Sequence, residues 1–160
     1  MLHLILFSIT VGITATLVFD LWKYATDRLR GRSGSPWGLI GRWVLGLGQG
    51  RWRLDQSRRD PPGRAETATG WIFHYAVGIA YAAMLPLFWG AGYVAAPGLW
   101  PAVIVGFGLT TLAGLCLLTP AMGGGMLARN TPNQAQRIIE TLQNHAIFAL
   151  ALYMGARAFA

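Results

Sequence analysis

Asp20, His74, Asn144 and His145 are polar side chains set in sequence that is otherwise apolar: "TLVFDLWKY" (16–24), "GWIFHYAVG" (70–78) and "QNHAIFALA" (143–151). A carboxylate and two imidazoles can pass protons, because histidine titrates near neutral pH and burial raises a carboxyl pKa. With Asn144 they could equally hold a small polar ligand. An ionisable group inside an apolar span costs several kcal/mol unless it is paired, and such groups often mark pathways or sites. The bland alternative is an internal clasp, in which Asp20 accepts hydrogen bonds from His74, His145 or Arg42 and locks helices together. Lys23, three residues on, also lets Asp20 sit close to the membrane edge. Both readings stay open for Asp20, His74 and His145.

A second set suits an anion. "PAMGGGMLARNTPN" (120–133) carries Gly123, Gly124 and Gly125, whose backbone can expose amides, ahead of a helix start at Thr131-Pro132. Such a start has free N–H groups and a partial positive charge. Arg129 and Arg137 lie beside it, and Arg42 belongs to the other glycine-bearing segment, "GLIGRWVLGLGQG" (38–50). A phosphate or carboxylate would fit these groups; a plain flexible turn is the simpler account of the glycines.

Other chemistries find less support. Two histidines and a carboxylate could bind a metal, but His-Glu-x-x-His is missing, so neither metal nor haem is expected. There is no Gly-x-Ser-x-Gly elbow for a serine hydrolase. The single cysteine, Cys116, excludes an intramolecular disulfide and reads as a small buried hydrophobe.

The elements that must position these residues are membrane helices. Of the 160 residues 54% are hydrophobic and 12% charged, half the charge of an average soluble domain. Four apolar stretches approach the roughly 20 residues that a span requires. They cover about 2–24, 71–91, 99–119 and 138–159. The expectation is one all-α integral membrane domain over 1–160, a four-helix bundle. The first stretch lacks the positive n-region of a secretory signal and exceeds its usual apolar length, so it is read as a span.

The connection 25–70 holds nine arginines, the second connection has no charge, and the third adds Arg129 and Arg137. Positive-inside counting puts the first and third connections in the cytoplasm and both termini outside. The net charge of +7 then matches anionic lipid headgroups rather than nucleic acid. Within the first connection, Ser35 can cap and Pro36 can open a short helix in which Trp37, Ile40, Val44 and Leu47 recur at helical spacing. It is too short to span and is expected to be interfacial or re-entrant, with Trp37 and Trp43 at headgroup depth.

Small residues recur every four positions along the spans. Ser8, Gly12 and Thr16 lead to Asp20; His74 leads to Gly78 and Ala82; Gly106, Thr110 and Gly114 mark the third span, and Thr141, His145 and Ala149 the fourth. Positions four apart share a face, and small ones let helix backbones approach inside lipid. These stripes are therefore expected to form the seams, which points Asp20 inward. Under the cytoplasmic orientation of the basic connections, the polar groups of all four spans gather toward that leaflet.

The motifs "ATLVFDLW", "GRW" (41–43), "GWIFHYAVGIAYA", "PAMGGG", "TPN" (131–133) and "NHAIFALALYM" resemble a bacterial membrane-protein family of unknown function, the DUF 2938 group. The resemblance covers nearly the whole chain. It implies four spans and residence in a bacterial inner membrane, and it transfers no activity. The sequence is thus read as an inner-membrane protein with a polar pocket at the cytoplasmic leaflet, handling a proton, ion or polar ligand. Four short spans call for a second copy, or a partner complex, to enclose a route. The alternatives are an enzyme acting on a lipid-like anionic substrate, with Arg42, Arg129 and Arg137 holding its headgroup, and a structural subunit whose polar groups only clasp helices.

Overall fold

The computed structural model describes residues 1–32 and 36–160, and among them there is no strand. Five helices follow one another: α1 (Leu2–Leu29), α2 (Trp37–Leu47), α3 (Arg64–Trp89), α4 (Leu99–Ala121) and α5 (Gln134–Phe159). The expected cap at Ser35 lies outside the described residues; Pro36 immediately precedes α2. The chain divides into two units, Met1–Gly34 with Tyr75–Thr111 and Leu142–Ala160, and Ser35–His74 with Leu112–Thr141.

Three helices, α1, α3 and α4, are long and apolar enough to cross a membrane. Of the four spans expected, these three are shown by length and apolar content among the described residues, and α5 is not. α5 matches α3 in length, at 26 residues, but its first half carries Arg137, Glu140, Gln143, Asn144 and His145. Those side chains lower its apolar content below that of a span. Outward-facing leucines, isoleucines and tryptophans such as Leu21, Ile72, Leu87, Trp100 and Leu117 are exposed, as suits helices surrounded by hydrocarbon rather than water.

In the first unit, four helices share a core. Phe7, Val11 and Ala15 of α1 meet Ala82 and Leu85 of α3, Ala102 and Val105 of α4, and Phe148, Ala151, Leu152 and Ala156 of α5. Of the small-residue positions, Gly12, Gly78, Ala82, Gly106 and Ala149 lie on these seams. Gly12 of α1 crosses α3 so closely that a Cβ there would stand 2.5 Å from the Ile79 Cα and 3.0 Å from the Gly78 carbonyl oxygen. Thr16, one turn on, is buried and returns its hydroxyl to the Gly12 carbonyl at 2.7 Å. Its polar atom is thereby satisfied without water.

α4 departs from regular winding twice. Ile104–Leu109 and Gly114–Leu118 are wound as π-helix, with α-helical Thr110–Ala113 between them. Thr119 donates its hydroxyl to the Gly114 carbonyl, five residues back, at 2.7 Å, and Pro120 beyond it has no N–H to give. π-wound segments widen a helix locally and often accompany functional positions.

In the second unit, α2 lies against the first turns of α3 through two glycines. A Cβ on Gly41 would strike the Glu66 carbonyl oxygen, and one on Gly70 the Trp37 carbonyl oxygen. Trp37 and Trp43 are half-buried, Trp43 meeting Phe73 edge-on at 5.9 Å.

Gly12→Ala tests the α1–α3 seam. The added methyl raises helix propensity by about 1 kcal/mol. Overpacking against backbone that cannot rotate away costs about 1–3 kcal/mol. The clash wins, so the thermal midpoint of Gly12→Ala falls, whereas Gly92→Ala, whose Cβ meets nothing within 4 Å, leaves it unchanged. A Gly12→Ala midpoint at or above wild type would mean that the helices do not meet here.

Candidate functional site

The first unit contains a layer of polar pairs between helices. Tyr75 of α3 donates its phenol hydrogen to Asp20 Oδ2 of α1 at 3.1 Å. Two residues along α1, the Trp22 indole N–H donates to Asn144 Oδ1 of α5 at 3.1 Å. Beside Asn144, His145 Nδ1 pairs with Thr111 Oγ1 of α4 at 3.0 Å, with donor and acceptor set by the imidazole tautomer. At 1.5 Å rise per residue, Asp20 and Trp22 differ in height by about 3 Å, less than one turn. One layer therefore links α3 to α1, α1 to α5 and α5 to α4.

Each contact has a chemical consequence. The Tyr75 phenol gives one Asp20 oxygen a hydrogen-bond donor inside the bundle. His145 has its Nδ1 side engaged, and Nε2 has no hydrogen-bond partner among the described residues. An imidazole held by one nitrogen can take or release a proton at the other. Thr111 lies between the two π-wound stretches of α4, so its position depends on an irregular helix. Nearer the end of α1, Lys23 pairs with the buried carboxylate of Asp27, one turn away on the same helix.

Asp20, Asn144 and His145, expected from the sequence, all belong to this layer. Tyr75, Thr111 and Trp22 were not anticipated as their partners. Tyr75 directly follows His74 in sequence, and a phenol at that depth in an apolar span was the available signal. His74 itself belongs to the second unit. Its ring stacks on Trp37 at 3.9 Å with 26° between planes and meets Trp71 at 6.1 Å. The Trp37 indole N–H is buried without an acceptor among the described residues.

The second unit also seats Arg42, which is only 6% exposed. Its Nε donates to Glu66 Oε1 at 2.8 Å and its Nη2 to Glu66 Oε2 at 3.0 Å, a bidentate pair. The same guanidinium reaches Asp60 Oδ2 at 3.0 Å and the Asp60 carbonyl at 3.1 and 3.2 Å. Glu66 further accepts the Gly63 N–H at 2.7 Å, and Arg58 bridges Asp60 and Glu66 from outside. The hydrogen bond to Glu66 raises the Arg42 pKa, and Arg58 bonded to Asp60 holds that carboxyl below its usual range. Arg42 thus fastens the loop ending at Asp60 to α2 and to the start of α3.

The remaining anion-binding candidates stand apart from Arg42's contacts. Arg129 and Arg137 are exposed. Gly123 and Gly125 adopt φ of +90° and +73°. The Gly123 and Gly124 N–H groups close the turn onto Pro120 and Thr119 carbonyls at 3.0 and 2.8 Å, and Asn130 N–H returns to the Gly124 carbonyl at 2.9 Å. Leu127 and Ala128 also adopt positive φ, a strained conformation for residues with a side chain. Among the described residues no three His, Cys, Asp or Glu side chains stand close enough together to hold a metal ion.

An all-α chain with three membrane-length apolar helices and a layer of paired polar side chains among its core helices is, as a class, a membrane protein. More particularly, the chain belongs to a family described as protein of unknown function, DUF2938, whose model matches residues 9–159. No curated protein and no solved structure matches it.

The Arg42 cluster yields a stability prediction. Arg42→Gln leaves the half-buried Glu66 without its bidentate partner, whereas Arg58→Gln removes only the outer bridge. The first lowers the thermal midpoint more than the second. Because the Asp60 pKa is depressed, its contribution is present above the usual carboxylate range and declines as pH falls through the lowered value. Midpoints measured from neutral to acid pH should converge for wild type and Arg58→Gln, which removes the cation bonded to Asp60. Equal neutral-pH midpoints for wild type and Arg42→Gln would show that the Arg42 clasp does not hold this unit.

Proposed function

We propose that this protein is a bacterial inner-membrane protein whose polar layer handles a proton or a small polar ligand. In this reading α5 crosses as a fourth span with Asn144 and His145 turned inward. The basic connections then lie in the cytoplasm and both termini in the periplasm. The observation that carries the reading is the conjunction of Asp20–Tyr75 with Thr111–His145. An intramembrane carboxylate and an imidazole with an open nitrogen occur in one layer, on helices of which one is irregularly wound. The basic first connection supports the orientation, as does the uncharged second one.

A structural reading has its own support. The pairs satisfy one another, so the layer can serve simply to hold α1, α3, α4 and α5 in register. Reconstitution separates the two. In vesicles carrying an internal pH-sensitive dye and an imposed proton gradient, wild-type protein should dissipate the gradient faster than empty vesicles. Asp20→Asn and His145→Ala should each cut that rate at least tenfold. Tyr75→Phe, which removes one oxygen and keeps the ring, should also lower the rate. Wild-type vesicles no leakier than empty ones, with Asp20→Asn altering only the thermal midpoint, would leave the layer as a clasp.

A further inference from the structure

We propose that Arg51, Trp52 and Arg53 form a binding site for the headgroups of anionic phospholipids in the bilayer that α3 and α4 cross. This inference rests on those two helices being spans and is independent of what the polar layer does.

The segment is fixed to the end of a span. The Leu54 N–H donates to the carbonyl of Ala121, the last residue of α4, at 2.8 Å, and Gln56 Nε2 donates to the Met122 carbonyl at 3.0 Å. Just upstream, the Trp43 indole N–H donates to the Trp52 carbonyl at 3.1 Å. The backbone at 52–56 is therefore tied to the level at which α4 leaves the membrane. A loop held there lies among headgroups rather than in free solvent.

The side chains suit that level. Trp52 is 81% exposed. An outward indole at the end of a span fits the interface, where its ring meets acyl chains and its N–H meets headgroup oxygens. Arg51 and Arg53 flank it and are exposed. Arg51 pairs with the neutral Gln49 side chain, and Arg53 has no partner among the described residues. From 51 to 59 there are four arginines and one aspartate. That aspartate, Asp55, turns its Oδ1 to the Ser57 N–H and hydroxyl at 2.9 and 2.6 Å. The surface around Trp52 is thus cationic, and an arginine near a bilayer surface contributes about a fivefold preference for anionic over neutral lipid.

Full-length protein in phosphatidylcholine vesicles tests this. A brominated quencher is supplied either as phosphatidylglycerol or as phosphatidylcholine, at equal content. The signal of Trp52 is the difference between wild type and Trp52→Phe. Brominated phosphatidylglycerol should quench it several-fold more than brominated phosphatidylcholine, with the ratio falling as salt rises. Arg51→Gln/Arg53→Gln should bring that ratio down toward one, because each charge removed takes away a preference of about fivefold. Quenching of the other tryptophans reports whether each variant keeps its fold, and the wild-type ratio needs no arginine variant. Equal quenching by the two lipids overturns the proposal. So does a Trp52 signal quenched by acrylamide from the water and by neither lipid, which would leave the segment free for a protein partner.

Discussion

A polar group carried into an apolar slab must find its partner within the chain. Water is not there to replace a missing hydrogen bond, and an unsatisfied group costs several kcal/mol. This requirement accounts for features of both units that otherwise look unrelated. Thr16 and Thr110 return their hydroxyls to carbonyls one turn back, Tyr75 finds Asp20, and His145 finds Thr111. Arg42 meets two carboxylates and a carbonyl. Because the Tyr75–Asp20, Thr111–His145 and Arg42 contacts join different helices or a helix to a loop, satisfying those polar atoms also fixes helix rotation and height.

Pairing of this kind works only where backbones come close. The hydroxyl of a threonine or the oxygen of an asparagine is too short to bridge helices held apart by leucines. Gly12 against Ile79, and Gly41 and Gly70 against each other's helices, provide that approach. At the second crossing the residue after Gly41 is Arg42, so the glycine contact delivers the guanidinium to Glu66, one turn before Gly70 on α3. Neither part is useful alone. An arginine without the crossing would be buried unpaired, and the crossing without the arginine would leave Glu66 facing α2.

Much of this was legible from local pattern. Helix length and apolar content are properties of a short window, so the helices were readable in place, and the four-residue stripe through Ser8, Gly12 and Thr16 located the packed face of α1. That stripe also directed Asp20 inward, toward Tyr75. The partners were less accessible. Tyr75 lies 55 residues from Asp20, and His145 lies 34 from Thr111. Which residue meets which depends on the relative heights of helices, and no periodicity within one helix encodes that. Arg42 illustrates the same limit, since its type and position suggested an anion from outside, whereas the chain supplies Glu66 and Asp60 itself. The π-wound stretches of α4 were invisible because "IVGFGL" and "GLCLL" carry the same apolar composition as regular helix.

α5 shows why apolarity and position in the core are separate properties. Its second half sends Phe148, Ala149, Leu152 and Ala156 into the packed interior, while its first half carries the amide and imidazole that meet Trp22 and Thr111. A helix enclosed by others need not be apolar on the side that they cover, because their polar atoms replace water there. Hydropathy averaged along α5 therefore underrates its burial, and it does so at Asn144 and His145, the residues that join the polar layer. The sequence property that weakens α5 as a span and the one that makes it chemically interesting have a single origin.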